Sequence, residues 1–263
     1  MSYDFETLKI DKQGKIVTVT MNRPDVLNAI NAKMHYELSV VFERIGDDQD
    51  VEVIIFTGAG RAFAAGGDTK LMQDMIDEPA LFRRTTREAK RIVMSILECE
   101  KPIIAKVNGH AVGLGATVAL HCDVIFASDK AKIGDPHVNV GLVAGDGGSA
   151  IWPYLIGFAR AKEYLFTGEL MTAQKAAEMG LINHCVPHDE LDSRVQAFAE
   201  QLAHGPIRAI SWTKSAVNAP LRALVSANMD TSLALEGLSS QTQDHQEAVR
   251  AFNEKRKPSF SGR

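Results

Sequence analysis

Apolar residues in the first half of the chain gather into short β-rich runs. The runs at 16–21, 53–57, 103–107 and 124–127 are too short for buried helices, so they predict strands. Several lead through Gly, Asn or Pro into sequence with helical spacing. After the first run, Met34, Leu38, Val41, Phe42 and Ile45 form an apolar stripe, and a longer helical segment is predicted over 81–97. Strands alternating with helices imply parallel pairing with right-handed crossovers, so this half reads as an α/β core.

Beyond about Trp152 the β pattern fades, apart from 181–186, and helical segments follow at 173–179, 190–203, 207–216, 221–238 and 243–252. Gly205-Pro206 and Ala219-Pro220 are expected to separate them, because proline disfavours a helical residue before it. The expected organisation is a core over 1–200 and a helical region over 201–263. The span 71–88 is too irregular to assign.

The composition of the 263 residues, 45% hydrophobic and 24% charged, is that of a globular protein. A net charge of -4 lacks the basic footprint of a nucleic-acid binder and leaves a small molecule as the better-suited partner. Cys99, Cys122 and Cys185 are odd in number and widely spaced, without a CxxC pair or a neighbouring metal-ligand histidine. The acidic start is unlike a signal peptide, and the most apolar region, 103–127, is broken by polar residues. These features lead to the expectation of a cytoplasmic protein with no metal and no membrane span.

Candidate chemistry lies where glycine ends an apolar run. One such place is Phe63-Ala64-Ala65-Gly66-Gly67-Asp68; the other runs from Asn108-Gly109 to Gly113-Leu114-Gly115-Ala116-Thr117. A turn that opens a helix leaves NH groups unpaired, and two of them converging on one oxygen would make an oxyanion hole. Spacing alone is equally satisfied by two tight strand-to-helix turns. A dinucleotide site is excluded because Val118 stands where the third glycine would be, and no GKS or GKT occurs.

Further motifs give the pattern a context. Asn22-Arg23-Pro24 with Leu27-Asn28-Ala29, the Phe63–Asp68 turn, Lys101-Pro102-Ile103-Ile104-Ala105-Lys106-Val107-Asn108-Gly109, and Thr167-Gly168-Glu169 with Ala173, Ala176 and Gly180-Leu181-Ile182 resemble the crotonase (enoyl-CoA hydratase/isomerase) superfamily in the same order. The resemblance implies a ββα spiral, or superhelix, closed by C-terminal helices and assembled as a homotrimer or a dimer of trimers. It implies an enzyme acting on an acyl-CoA thioester, with coenzyme A as part of the substrate and no tightly bound cofactor. The NH groups of Ala65 and Leu114 would hold the thioester oxygen and stabilise an enolate. Leu27, Asn28, Ala29, Ala64, Asp68 and Lys70 would line the coenzyme A pocket.

The chain also departs from the pattern. The two glutamates of the hydratases align with Thr117 and with His137, in Gly134-Asp135-Pro136-His137. Of these two, only the histidine is a base near neutral pH. Asp146, in Gly145-Asp146-Gly147-Gly148, stands where the resemblance places a helix start beside the active site; its alternative reading is a helix cap. His137 with Asp146 resembles a branch that includes β-diketone carbon-carbon hydrolases, in which His35 matches a pocket histidine more loosely. His110 and His121 read as structural.

Arg83, Arg87 and Arg91 share a helical face, and Lys255-Arg256-Lys257 precedes Phe260. These groups suit coenzyme A phosphates or a solvated face. The expected activity is hydratase/isomerase chemistry with His137 and Asp146 moving the proton. The alternatives are hydrolysis of a cyclic β-diketone or ketoacyl-CoA, and a non-catalytic scaffold that binds CoA esters or a partner.

Overall fold

The computed structural model describes residues 3–263. One sheet has the order β1 (Leu8–Gln13), β2 (Ile16–Met21), β3 (Val53–Gly58), β5 (Ile103–Val107), β7 (Val124–Ser128), β10 (His184–Val186). Its β1–β2 hairpin is antiparallel, and every pairing from β2 to β10 is parallel. A smaller sheet runs β4 (Ala62–Ala64), β6 (His110–Val112), β8 (Lys132–Gly134), β9 (Met171–Thr172). β3, β5 and β7 are each followed by a short strand of the second sheet and then by helix, which gives a repeating ββα path. β3, β4 and α2 (Thr69–Asp77) form one such unit; β5, β6 and α4 (Leu114–His121) form the next.

The four expected strands are β2, β3, β5 and β7, and the predicted stripe lies on the buried side of α1 (Ala32–Gly46). β3 is buried on both faces and so reads as a continuous apolar run, as parallel strands do. The three-residue strands β4, β6 and β8 were not expected, because each is too short to show any period. The segment 71–88, left unassigned from the sequence, holds the rest of α2 and the start of α3 (Pro79–Glu98).

The C-terminal region is helical as expected: α8 (Leu191–Ala203), α9 (Ile207–Ser239) and α10 (Gln243–Asn253) follow α5 (Gly148–Ile156), α6 (Phe158–Thr167) and α7 (Ala173–Glu178). The break expected at Ala219-Pro220 does not occur, since α9 runs through Pro220. Proline removes one helical hydrogen bond. That loss is outweighed by a buried stripe continuing on both sides of it, from Lys214 and Asn218 to Val225, Met229, Leu233 and Glu236. Val225, Met229 and Leu233 pack with Ala89, Val93 and Leu97 of α3. Among the described residues, no helix is long and apolar enough to cross a membrane.

Asn28 fixes the loop before α1. It is fully buried with a left-handed φ of 56°; its amide donates to the carbonyls of Ala59 (2.9 Å), Ala62 (2.9 Å) and Phe63 (3.2 Å), and its Oδ1 accepts from the Arg23 NH (2.9 Å). Asn28→Ala leaves these buried partners unsatisfied and should lower unfolding free energy by about 2–4 kcal/mol in urea titration. Lys70→Ala, at an exposed surface ion pair, should stay within about 0.5 kcal/mol of wild type.

Candidate active site

The two glycine-bearing turns meet in space. Gly66 has φ of +92°, and a Cβ there would lie 3.1 Å from the Val112 carbonyl oxygen; a Cβ on Gly115 would come within 2.6 Å of the Ala64 Cβ. The first turn follows β4 and enters α2, whose N-cap is Asp68, accepting from the Lys70 NH. The second follows β6 and enters α4 at Gly113, where no side chain caps the helix. Leu114 is the first residue of α4, so its NH is one of the unpaired donors at a helix start.

On the first turn the donor differs from the expected one. The Ala65 NH is bonded to the Leu27 carbonyl at 3.0 Å and is not available to a ligand. Gly67 sits two residues on, its carbonyl and NH flanking a bridge in which Ile30 NH meets Gly66 O and Asp68 NH meets Ile30 O. This geometry turns the Gly67 NH away from the bridge, and it has no acceptor among the described residues. The two free NH groups on the turns are therefore those of Gly67 and Leu114, whose residues line one chamber. Motif position alone could not separate adjacent residues of one turn, because the Leu27 contact comes from a distant loop.

Gly67 and Leu114 both line a small inner chamber of about 80 Å³, together with His137, Asp146, His35 and Glu236. An outer groove of about 420 Å³ lies on the other side of Gly67 and His137 and is lined by Ala29, Ala65, Val112 and Phe252. Gly67, Asp68, Met72 and His137 border both spaces, which places the constriction between them beside the unpaired donors.

His137 follows β8 and Pro136 and begins a 3-10 turn. Its Nδ1 is hydrogen-bonded to Asp135 Oδ1, and its Nε2 lies 3.4 Å from Asp146 Oδ2. The ring edge faces the second turn: a Cβ on Gly113 would stand 3.6 Å from His137 Cε1. Burial disfavours the imidazolium, but the Asp135 and Asp146 carboxylates outweigh it and hold the His137 pKa well above its ordinary value. For Asp146 burial pushes the pKa upward, yet His137 and the Thr117 hydroxyl, which donates to Oδ1 at 3.1 Å, bring it below the usual carboxylate value. Asp146 is not the helix cap: α5 begins at Gly148 with Gly147 at its cap position, and the carboxylate turns to Thr117 and His137 instead.

Three carboxyl and imidazole groups so close together resemble a metal set. Asp135 and Asp146 approach opposite nitrogens of the ring, however, so an ion held by one nitrogen and Asp146 would have the imidazole between it and Asp135. The arrangement fits a proton relay better than a metal centre.

The sequence reading missed Asp135 and Glu236. Asp135 directly precedes Pro136-His137, and its link to the ring was available from that proximity alone. Glu236 lies on α9, about a hundred residues from His137 in sequence, where it reads as an ordinary polar position in a helix. Its Oε2 is buried without a partner, and burial together with the Asp146 charge raises its pKa to about 8, so it is a neutral acid below that pH. His35 also reaches the chamber and is tied to Glu88 at 2.9 Å.

The remaining sequence candidates separate by position. Ala29 and Asp68 line the outer groove, and Arg23 pairs with Asp68 at 2.9 Å. Leu27 and Asn28 shape the loop behind it, Ala64 is buried against Gly115, and Lys70 is exposed and paired with Asp74. Phe252 of α10 lines the groove, and Phe260 is half exposed outside it. In the 255–257 segment, Arg256 is paired with Glu247 and Glu254. His110 accepts from the Lys132 NH, and buried His121 donates from Nδ1 to the Thr117 carbonyl; burial lowers the His121 pKa to about 4.

The family model described as Enoyl-CoA hydratase/isomerase matches residues 11–263. The chain belongs to the enoyl-CoA hydratase/isomerase family. It is 34% identical to a short-chain-enoyl-CoA hydratase of Clostridium acetobutylicum, over 94% of this chain and 95% of that one. A crotonyl-CoA hydratase of Syntrophomonas wolfei is also 34% identical, over 97% and 98% of the two chains. Among solved structures, an enoyl-CoA hydratase/isomerase from Mycobacterium paratuberculosis superposes with a TM-score of 0.91 at 37% identity, covering 94% of this chain and 99% of the other. The ββα path and the helical C-terminal region are thus the family's crotonase fold.

Glu236 gives the site of this family member a testable pH signature. A carboxyl whose folded pKa is raised from 4.5 to about 8 binds a proton in the folded state that the unfolded chain has released. Its contribution to stability is therefore complete below 4.5 and is lost as pH rises toward and through about 8. Thermal melts of wild type should lose Tm across that window more steeply than those of Glu236→Gln; parallel curves would show that Glu236 is ionised in the fold.

Proposed function

We propose that this chain is an enzyme acting on an acyl-CoA thioester through an enolate held by the NH groups of Gly67 and Leu114. The observation that carries the reading is that both free donors line the inner chamber, with Gly67 also bordering the outer groove. A thioester carbonyl lodged there would leave the coenzyme A arm in the groove of Ala29, Asp68 and Phe252 and the acyl group in the chamber with His137. Each well-placed donor to a developing oxyanion contributes roughly 3–4 kcal/mol to barrier lowering.

His137 and Asp146 act as one proton-transferring unit. The proton resides on His137, which makes the imidazolium the acid and the Asp146 carboxylate its acceptor. Asp135 fixes the ring from the opposite side and sets its orientation. Neutral Glu236, on the chamber wall, is placed to donate a hydrogen bond to a substrate oxygen or a water. Hydration and double-bond isomerisation both need a proton taken from or given to a carbon beside the enolate, and this unit supplies it.

Carbon-carbon bond hydrolysis is a second reading favoured by one observation: the Asp135-His137-Asp146 array, with a carboxylate at each ring nitrogen, is suited to delivering a water to a ketone. Cleavage would release the same enolate into the same hole. The scaffold reading is less well supported, because a buried, strongly polarised histidine is costly to maintain without chemistry. A trimer or dimer of trimers is the proposed assembly, in keeping with large apolar side chains exposed on α6, Phe158 and Phe166.

His137→Ala should lower kcat by a factor of about 10² or more while leaving the affinity for a CoA ester within a few-fold of wild type. Unchanged turnover would remove His137 from the mechanism. Assayed in parallel on crotonyl-CoA and on cyclic β-diketones, the wild-type protein should turn over the thioester; ring opening of the diketone alone would establish the second reading.

A further inference from the structure

The inner chamber does not end at its apolar wall. Met75, Phe82, Thr86 and Leu233 line it on one side, and the same four residues line a larger groove of about 810 Å³ between α3 and α9. The partition between the two spaces is therefore a single layer of side chains. All four are uncharged; Met75 stands at the end of α2 and Phe82 in the first turn of α3, and the unbranched Met75 repacks at little cost. α9 approaches closely here, with a Cβ on Gly237 only 3.4 Å from the Phe82 ring.

The groove beyond is apolar on its floor, with Ile76, Met94, Ala234 and Leu238, and basic along the α3 rim. Not every cation on that rim is free. Lys90 is paired with Asp230, and Arg91 with Glu43 at 2.8 Å. Arg84 points elsewhere, to Glu88 at 2.8 Å. Arg83 and Arg87 have no carboxylate within ion-pair distance among the described residues; the one contact between them is Arg87 Nε to the Arg83 carbonyl at 3.4 Å. One helical turn apart, their Cβ atoms lie roughly 5–6 Å from each other on one helix face, close enough for both guanidinium groups to reach the same carboxylate.

Charge changes sign along this path. Two carboxylates, Asp135 and Asp146, flank a single imidazolium, so an anionic group stopping in the chamber would meet a net like charge at short range. Past the partition the free charges are positive. A chain that is apolar where it crosses Met75 and Phe82 and anionic at its far end matches both halves of the path.

We propose that the α3–α9 groove is a distal subsite that takes the carboxylate end of an ω-carboxyacyl substrate, held by Arg83 and Arg87, with the acyl chain threaded past Met75 and Phe82. The inference rests on the thioester reading above and specifies its substrate class. Both arginines are exposed and lie outside the catalytic chamber, so replacing them leaves the fold and the chemistry in place.

Isothermal titration at low ionic strength tests it with matched pairs of esters: adipoyl-, suberoyl- and sebacoyl-CoA against hexanoyl-, octanoyl- and decanoyl-CoA. At least one ω-carboxy ester should bind about tenfold more tightly than its methyl-ended counterpart, with the advantage eroded by added sodium chloride. Arg83→Gln/Arg87→Gln should erase the advantage and leave the methyl-ended esters unchanged, while Arg91→Gln should preserve it. Equal affinity within every matched pair, or an advantage that survives in the double variant, overturns the subsite and leaves the thioester reading standing. Failure of all six esters to bind overturns both.

Discussion

The site is built on a contact between two pieces of backbone. Gly115 lies against Ala64, and Gly66 against the Val112 carbonyl, so the turn after β4 and the turn after β6 are held side by side. A side chain at Gly115 would force the helix start away from β4 by more than an ångström, and the two free NH groups would be moved apart. Parallel pairing of β4 with β6 sets this approach, and the longer β3–β5 pairing supports it from beneath. Asn28 and Arg23 then close the arrangement from the outside, by tying the loop before α1 to both β4 and Asp68.

The second constraint is electrostatic. Asp135, His137, Asp146 and Glu236 share a space nearly removed from water, where an uncompensated charge costs several kcal/mol. The protein meets this in two different ways. His137 and Asp146 keep their charges because each stabilises the other, whereas Glu236 has no cationic partner of its own and gives up its charge instead. One cluster thus contains both an imidazolium and a neutral carboxylic acid near neutral pH. The Asp146 and Glu236 carboxyls are driven to opposite protonation states by neighbouring surroundings, and such a divergence is what acid-base chemistry on one substrate requires.

Long-range packing supplies most of this cluster. β8 brings Asp135 and His137, the glycine-rich stretch before α5 brings Asp146, α4 brings Thr117, and α9 brings Glu236. The continuity of α9 through Pro220 bears directly on the chamber. Had the helix broken there, the stripe from Val225 to Glu236 would have had no fixed register on α3, and the acid would have had no fixed position.

The sequence by itself determined the elements with a strong period and the motifs with a strict order. The runs at β2, β3, β5 and β7 and the stripe on α1 were legible because burial of one face imposes a repeat that local sequence displays. Ordered glycine-bearing motifs likewise pointed to the family and to His137, Asp146 and Leu114. Tertiary structure alone decided three further matters. It left the Gly67 NH free and tied up that of Ala65, because a hydrogen bond from Ala65 to Leu27 is a contact between distant loops. It carried α9 through Pro220, because packing on α3 outweighs the loss of one backbone hydrogen bond. It placed Glu236 beside Asp146, because desolvation and charge proximity depend on which residues the fold brings together, and no local pattern records that.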